Sequence, residues 1–312
     1  MSVDPIEFSR RGDEVFARLA ARFPAADKQR LAIDHTFEAD RFAAIRAAML
    51  GYISRCLGAR RPLSEPETVA GLLEQRETIP NLRADGLLVP KREHVVEFNL
   101  LHKAVADAFR ELSIEDSVDV IDLPLNVRVV YGKPGARRNL AFSSSKLHSD
   151  VWAGVPVDAV VVVLPVLGAI EDITIILGEL PREQELEAMH VMDDYLDGKT
   201  YKITTPYAGA MKHGHLYLAD VRALHQTVRH KAEGVRVSID FRFRTSDRGY
   251  REMAPAVHGP ESGDQRVSYA EWLGIGSDRL IVFDEPVARA SERAPDADDR
   301  PFGLPYRTMA LE

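Results

Sequence analysis

The residues best suited to chemistry are His148, Ser149 and Asp150, read together with His225 and Arg236. His148 and Asp150 lie two apart, so in an extended segment both side chains point to the same face. His225 opens a second short run of strand character. Two neutral imidazoles and one carboxylate on one side of a metal leave its other positions open, a donor set that suits Fe(II). His-x-Asp alone is a weak signal in a chain with ten histidines, and a lone histidine is more often packed or exposed than a ligand. The surroundings of the pair give it weight.

Eleven residues after His225 begins Arg236-Val237-Ser238-Ile239-Asp240-Phe241-Arg242-Phe243, which alternates cleanly. Val237, Ile239, Phe241 and Phe243 form one face, and Arg236, Ser238, Asp240 and Arg242 the other. One face must pack on apolar material while the other meets water or a polar cavity. A guanidinium binds a carboxylate through two parallel hydrogen bonds, and the hydroxyls of Ser238 and Thr227 can add donors. Arg236 is therefore a fitting grip for the distal carboxylate of 2-oxoglutarate. Taken alone, it reads as easily as a surface arginine on an amphipathic strand.

Three segments together, HSD at 148–150, GHLYLADVRALHQT at 214–227 and RVSIDFR at 236–242, resemble the Fe(II)/2-oxoglutarate-dependent oxygenases. The nearest resemblance is to the phytanoyl-CoA dioxygenase-like branch, which includes ectoine hydroxylase and many natural-product oxygenases. The resemblance covers roughly residues 118–245. It implies a double-stranded β-helix, the cupin-like jelly roll, flanked by helices. It implies His148, Asp150 and His225 as iron ligands and Arg236 as the cosubstrate-binding residue, with Ser238, Thr227 and Asn126 assisting. Fe(II), 2-oxoglutarate and O2 are the implied cofactor and cosubstrates. Retention of Asp150 favours hydroxylation, oxidative cyclisation or desaturation over halogenation, because halogenating relatives replace this carboxylate with a small residue. A cupin-like metal-dependent isomerase and a dioxygenase without a cosubstrate are the alternatives; neither gives Arg236 an obvious task.

The substrate is expected to be a small polar metabolite such as a sugar, aminocyclitol or amino-acid derivative. From Leu123 to Ser149 there is no Asp or Glu, but there are Arg128, Lys133, Arg137, Arg138 and Lys146. This cationic stretch runs directly into the metal motif and suggests an anionic or polyhydroxylated substrate, with Arg137 and Arg138 on a lid. Arg128 shares a strand face with Asn126. Trp152 reads slightly better as pocket wall than as core.

The elements that must position these residues change period along the chain. Residues 1–115 read as a helical portion: Phe42, Ile45, Met49 and Ile53 form one stripe, Phe98, Leu101, Val105, Phe109 and Leu112 another, and Ser64 to Glu67 has capping-box spacing. From about residue 116 to 248 the sequence predicts a mostly β core. Its strands are Val118–Leu123, Leu125–Tyr131, Ala159–Val166, Ile173–Leu177, Tyr201–Thr205, His215–Ala219, Gln226–His230 and Val235–Phe243. A helical insertion over 180–198, centred on Arg182–Leu196, interrupts them. Residues 249–312 read as a C-terminal extension of the same domain.

Composition limits the alternatives. The single cysteine, Cys56, excludes sites built on several thiolates and suits a reducing, cytoplasmic compartment. A net charge of −8 argues against nucleic acid. The longest apolar stretch, Ala159–Ile170, contains Pro165 and Gly168 and is too short for a bilayer, and the N-terminus lacks the apolar core of a secretory signal. A monomer or homodimer is expected.

Overall fold

The structure is a computed structural model that describes residues 3–83, 85–133, 141–207, 211–253, 265–283 and 306–311. Helix α1 (Pro5–Ala20) starts where Asp4 accepts a hydrogen bond from the Ile6 amide, with proline in the first turn. Strands β1 (Asp27–Gln29) and β2 (Ala32–Thr36) form a hairpin before α2 (Ala39–Cys56). Helix α3 (Glu65–Glu74) begins on the Ser64/Glu67 capping box, and α4 (Val95–Arg110) follows.

Strands β3 (Val118–Leu123), β4 (Asn126–Tyr131), β5 (Ala159–Gly168) and β6 (Ile173–Glu179) come next. Helix α5 (Arg182–Ala188) leads to β7 (Thr205–Pro206), β8 (His215–Asp220), β9 (Leu224–Arg229) and β10 (Val235–Thr245). The C-terminal part adds α6 (Arg248–Met253), β11 (Gln265–Ser268), α7 (Tyr269–Gly274), β12 (Arg279–Phe283) and β13 (Tyr306–Ala310).

The large sheet runs β1-β2-β8-β5-β10-β3-β11, with β4 also on β10; a small sheet runs β7-β6-β9. From β5 onward the chain passes between the two sheets, with β5, β8 and β10 in the large one and β6, β7 and β9 in the small one. All these pairings are antiparallel. This alternation is the jelly-roll, or double-stranded β-helix, arrangement expected from the sequence.

The alternation in β10 is what couples the fold to the site. Val237, Ile239, Phe241 and Phe243 face a core shared with Ile45 and Met49 of α2, Phe98, Leu101 and Phe109 of α4, and Trp272 of α7. Phe241 lies 5.3 Å from Phe109 and 5.2 Å from Trp272, ring centre to ring centre. Covering this face with helices forces the polar row of Arg236, Ser238, Asp240 and Arg242 toward the small sheet. Gly168 ends β5 beside this strand with φ +83°; a Cβ there would lie 1.9 Å from the Val235 carbonyl oxygen, so no larger residue fits.

Three local expectations differ from the structure. The N-terminal portion is not wholly helical: β2 pairs along β8 and widens the large sheet. This pairing is tertiary and leaves little trace in so short a run. In the insertion, α5 stops at Ala188 instead of reaching Leu196. Continuing it would require the Met192 amide to bond the Ala188 carbonyl. Both groups are taken by Trp152, whose indole Nε1 donates to Ala188 O (2.8 Å) and whose carbonyl accepts from Met192 N (2.9 Å). The strand expected over Tyr201–Thr205 is correspondingly reduced to Thr205–Pro206.

Candidate metal centre

His225 sits on β9, and the segment carrying His148 pairs with it. His148 N donates to His225 O (2.9 Å), and His225 N donates to His148 O (2.8 Å). This isolated bridge extends the small sheet by one short stretch and sets the two imidazole centroids 4.1 Å apart. The chain then turns: Ser149 caps a short 3₁₀ turn, Asp150–Ala153, and its hydroxyl donates to Val221 O (2.6 Å). That turn brings the Asp150 carboxylate in front of both rings.

One donor atom from each of His148, Asp150 and His225 lies within 4.8 Å of the others. The imidazole tautomers follow from their backbone contacts. His148 Nδ1 meets Lys146 O (2.8 Å) and His225 Nδ1 meets Ala223 O (3.3 Å). A carbonyl only accepts, so Nδ1 carries the proton in each ring and Nε2 presents a lone pair. Both Nε2 atoms face Asp150 Oδ1, at 3.7 Å from His148 and 3.5 Å from His225. Three electron-rich atoms converging with no donor between them form a receptor for a cation. Two nitrogens and one carboxylate oxygen fit Fe(II) among metals that accept such donors.

Burial and neighbours keep the groups in ligand form. Burial, reinforced by His225, pushes the His148 imidazole down to about 3 against the opposing pull of Asp150, so the ring is neutral near pH 7. Burial alone would raise Asp150. The Arg242 guanidinium outweighs it and holds the carboxyl well below its usual range.

Arg236 projects from the start of β10, and its Nη1 donates to Ile173 O on β6 (3.0 Å). Its side chain is 1% exposed, and its Nε has no hydrogen-bond partner among the described residues. Burial, with Arg128 nearby, pushes its pKa down to about 10. Other cations have carboxylate partners: Arg128 holds Asp240 (2.6 Å), Arg242 holds Asp150 (3.0 Å) and Lys146 holds Asp194 (2.6 Å). Arg236 forms no ion pair among the described residues. Thr227 is buried on β9 opposite Ile175, two residues from Ile173, and its amide donates to Ser144 O (2.7 Å). Ser238 is buried two residues beyond Arg236.

The remaining sequence candidates divide. Asn126 and Arg128 share the inner face as expected, but both are committed to Asp240: Asn126 Nδ2 to Oδ1 at 3.2 Å, and Arg128 Nε to Oδ2 at 2.6 Å. Trp152, expected as pocket wall, is a buried residue in this structure. Its ring is fully buried against Gly198 in a second core with Val151, Met189 and Tyr250. Arg137 and Arg138 lie outside the described residues.

Two residues at the centre were not singled out from the sequence. Tyr195, in the insertion after α5, stacks on the His148 ring at 4.1 Å and 16°. Arg242 clamps Asp150. The period-two alternation already placed Arg242 on the face of Arg236; nothing in the sequence named its partner.

No protein-family model matches the chain, and no curated protein matches it. Among solved structures it is similar to the non-heme alpha ketoglutarate dependent epimerase SnoN from nogalamycin biosynthesis, with 13% identity and a TM-score of 0.37. That match covers 73% of this chain and 81% of the other. It is also similar to the non-heme monooxygenase ThoJ in its nickel complex (14% identity, TM-score 0.37, 73% and 77% covered). A third similar structure is an N-substituted L-amino acid dioxygenase with alpha-KG from Burkholderia ambifaria AMMD (12% identity, TM-score 0.34, 75% and 91% covered).

Proposed function

We propose that the protein is an Fe(II)- and 2-oxoglutarate-dependent oxygenase that activates a C–H bond of a small polar metabolite. The observation that carries this reading is Arg236: a buried guanidinium with no ion pair among the described residues, on the polar row of β10 that also carries Arg242, the partner of Asp150. An uncompensated buried charge is costly and is kept where a ligand supplies the counter-ion. A dicarboxylate whose other end reaches the metal meets both requirements.

In this reading His148, Asp150 and His225 hold the iron. When bound, the iron supplies dioxygen activation coupled to decarboxylation of 2-oxoglutarate to succinate and CO2. Arg236 binds the distal carboxylate, with Thr227 and Ser238 as hydroxyl neighbours. Tyr195 covers His148 and excludes water from that side. Among the described residues Asn126 and Arg128 serve as a neutralised floor through Asp240, instead of meeting a ligand directly. A sugar, aminocyclitol or amino-acid derivative is the substrate class consistent with the acid-free stretch before the metal motif. Hydroxylation and oxidative ring closure or desaturation are both compatible with a retained Asp150. A reducing, cytoplasmic setting fits the single cysteine, which is buried.

Calorimetric titration of the Mn(II)-loaded protein with 2-oxoglutarate tests the reading. Arg236→Met is expected to weaken binding on the order of 100-fold, the loss associated with truncating a buried hydrogen-bonded charge pair. Equal binding by wild type and variant, or no binding by wild type, would contradict it and would favour an isomerase or a dioxygenase without cosubstrate.

A further inference from the structure

We infer that Arg242 is a positioning residue that makes Asp150 a one-oxygen ligand and so preserves an open position on the metal. The inference rests on the metal-centre reading, and not on the identity of the cosubstrate. Arg242 Nε and Nη2 both lie 3.0 Å from Asp150 Oδ2, while Oδ1 faces His148 Nε2 and His225 Nε2 at 3.7 and 3.5 Å. The two oxygens of one carboxylate are thus divided between a fixed cation and the metal side.

The division matters because a carboxylate with both oxygens free can chelate a cation through both. In a centre with roughly six positions, two imidazoles and one carboxylate oxygen leave about three for small ligands. Chelation by both oxygens of Asp150 would leave about two. A ligand that binds through two atoms would then fill the centre and exclude a further reactant.

The arrangement also has a rigid mount. Arg242 is held on the central strand β10, whose neighbouring residues Phe241 and Phe243 are buried in the main core. Asp150 stands on a turn tied by Ser149 to Val221 and closed by Val155 N donating to Asp150 O (3.2 Å). The clamp therefore joins the large sheet to the turn that follows the small one. A purely structural salt bridge would stabilise that junction equally well with either carboxylate oxygen; only a positioning role requires that Oδ1 stay free on the histidine side.

The test counts water molecules on bound Mn(II), from the line broadening that ¹⁷O-enriched water causes in its electron paramagnetic resonance spectrum. Wild type, Arg242→Met and Arg242→Lys are compared without 2-oxoglutarate, with thermal melting as a check of folding. Arg242→Met is expected to lose about one bound water relative to wild type as Asp150 turns to hold the metal through both oxygens. Arg242→Lys, which keeps a cation and a donor toward Oδ2, is expected to retain the wild-type number. An unchanged count in Arg242→Met overturns the inference. Should that variant not fold, Arg242→Gln, which cannot grip Oδ2 through two cationic donors, takes its place: a count below wild type supports the inference and an unchanged count overturns it. Failure of wild type to bind Mn(II) would instead remove the metal-centre reading, and failure of 2-oxoglutarate to bind would remove the proposed activity while leaving the water count interpretable.

Discussion

At the scale of single residues the site holds a buried charge, Arg236, that forms no ion pair among the described residues. Arg236 is buried, loses part of its basicity to burial, and has one backbone acceptor where a guanidinium could engage a carboxylate. Replacing a buried charge with an apolar side chain of similar volume is often neutral or stabilising. Arg236→Met is therefore expected to raise the melting temperature of the ligand-free protein, by an amount equivalent to roughly 1 kcal/mol or more. The same change is expected to weaken 2-oxoglutarate binding on the order of 100-fold. A melting temperature several degrees below wild type would mean that Arg236 serves the fold instead of a ligand. Asp150 presents the opposite case: its counter-ion is already present in Arg242, so one of its oxygens is spoken for before any ligand arrives.

At the scale of elements, two devices aim the site. The first is the insertion between β6 and β7, where Gly198 lies against the Trp152 ring; a Cβ there would sit 2.3 Å from ring atoms. Gly198→Ala is expected to cost about 1–3 kcal/mol through overpacking. It should also loosen Tyr195, which a fluorescence or metal-affinity measurement would register as weaker Mn(II) binding. The second is the buried ion cluster around Arg222, which bonds Asp220, Asp13 and Glu185 and ties α1 and α5 to the β8–β9 turn. Truncating Arg222 to alanine leaves the buried Asp220 without this cation, while Asp13 and Glu185 keep Arg30, and is expected to cost about 3–5 kcal/mol in a chemical denaturation experiment.

These elements also show what the sequence discloses. The alternation in 236–243 predicts which residues face the small sheet, and helical stripes such as Phe98 to Phe109 predict what covers the other side. The His148, Asp150, His225 and Arg236 set is readable through the HSD, GHLYLADVRALHQT and RVSIDFR segments and the resemblance they carry, whereas strand alternation alone places only the row that holds Arg236. The β1–β2 hairpin, the early end of α5, and the contacts of Tyr195 and Trp152 are not readable. Each depends on a partner distant in the chain whose position no local pattern encodes.

At the scale of the whole molecule, the candidate centre lies where the two sheets meet, with His148 and His225 on the small sheet and Arg242 on the large one. Among the described residues no helix is long and apolar enough to cross a membrane. Stability should fall in acid. His102, fully buried between α4 and α7, is pushed down to about 3 by burial, with its bond to Trp272 O opposing only in part. Its folded pKa lies below its ordinary value of 6.5. Between these values the unfolded chain holds the extra proton, so stability is present above about pH 6.5 and is lost as pH falls toward 3. The slope from this one group is about 1.4 kcal/mol for each pH unit. Denaturation midpoints across this window are expected to fall more steeply for wild type than for His102→Phe, and equal slopes would contradict the assignment.

The central claim is that His148, Asp150 and His225 hold iron while Arg236 holds the far end of 2-oxoglutarate. Its most direct test is anaerobic titration of the protein with Fe(II) and 2-oxoglutarate, followed by visible absorption. A weak charge-transfer band is expected in wild type, with its loss in His225→Ala and a much higher 2-oxoglutarate concentration for half-saturation in Arg236→Met. Absence of the band in folded wild-type protein, or an unchanged half-saturation in Arg236→Met, would contradict it.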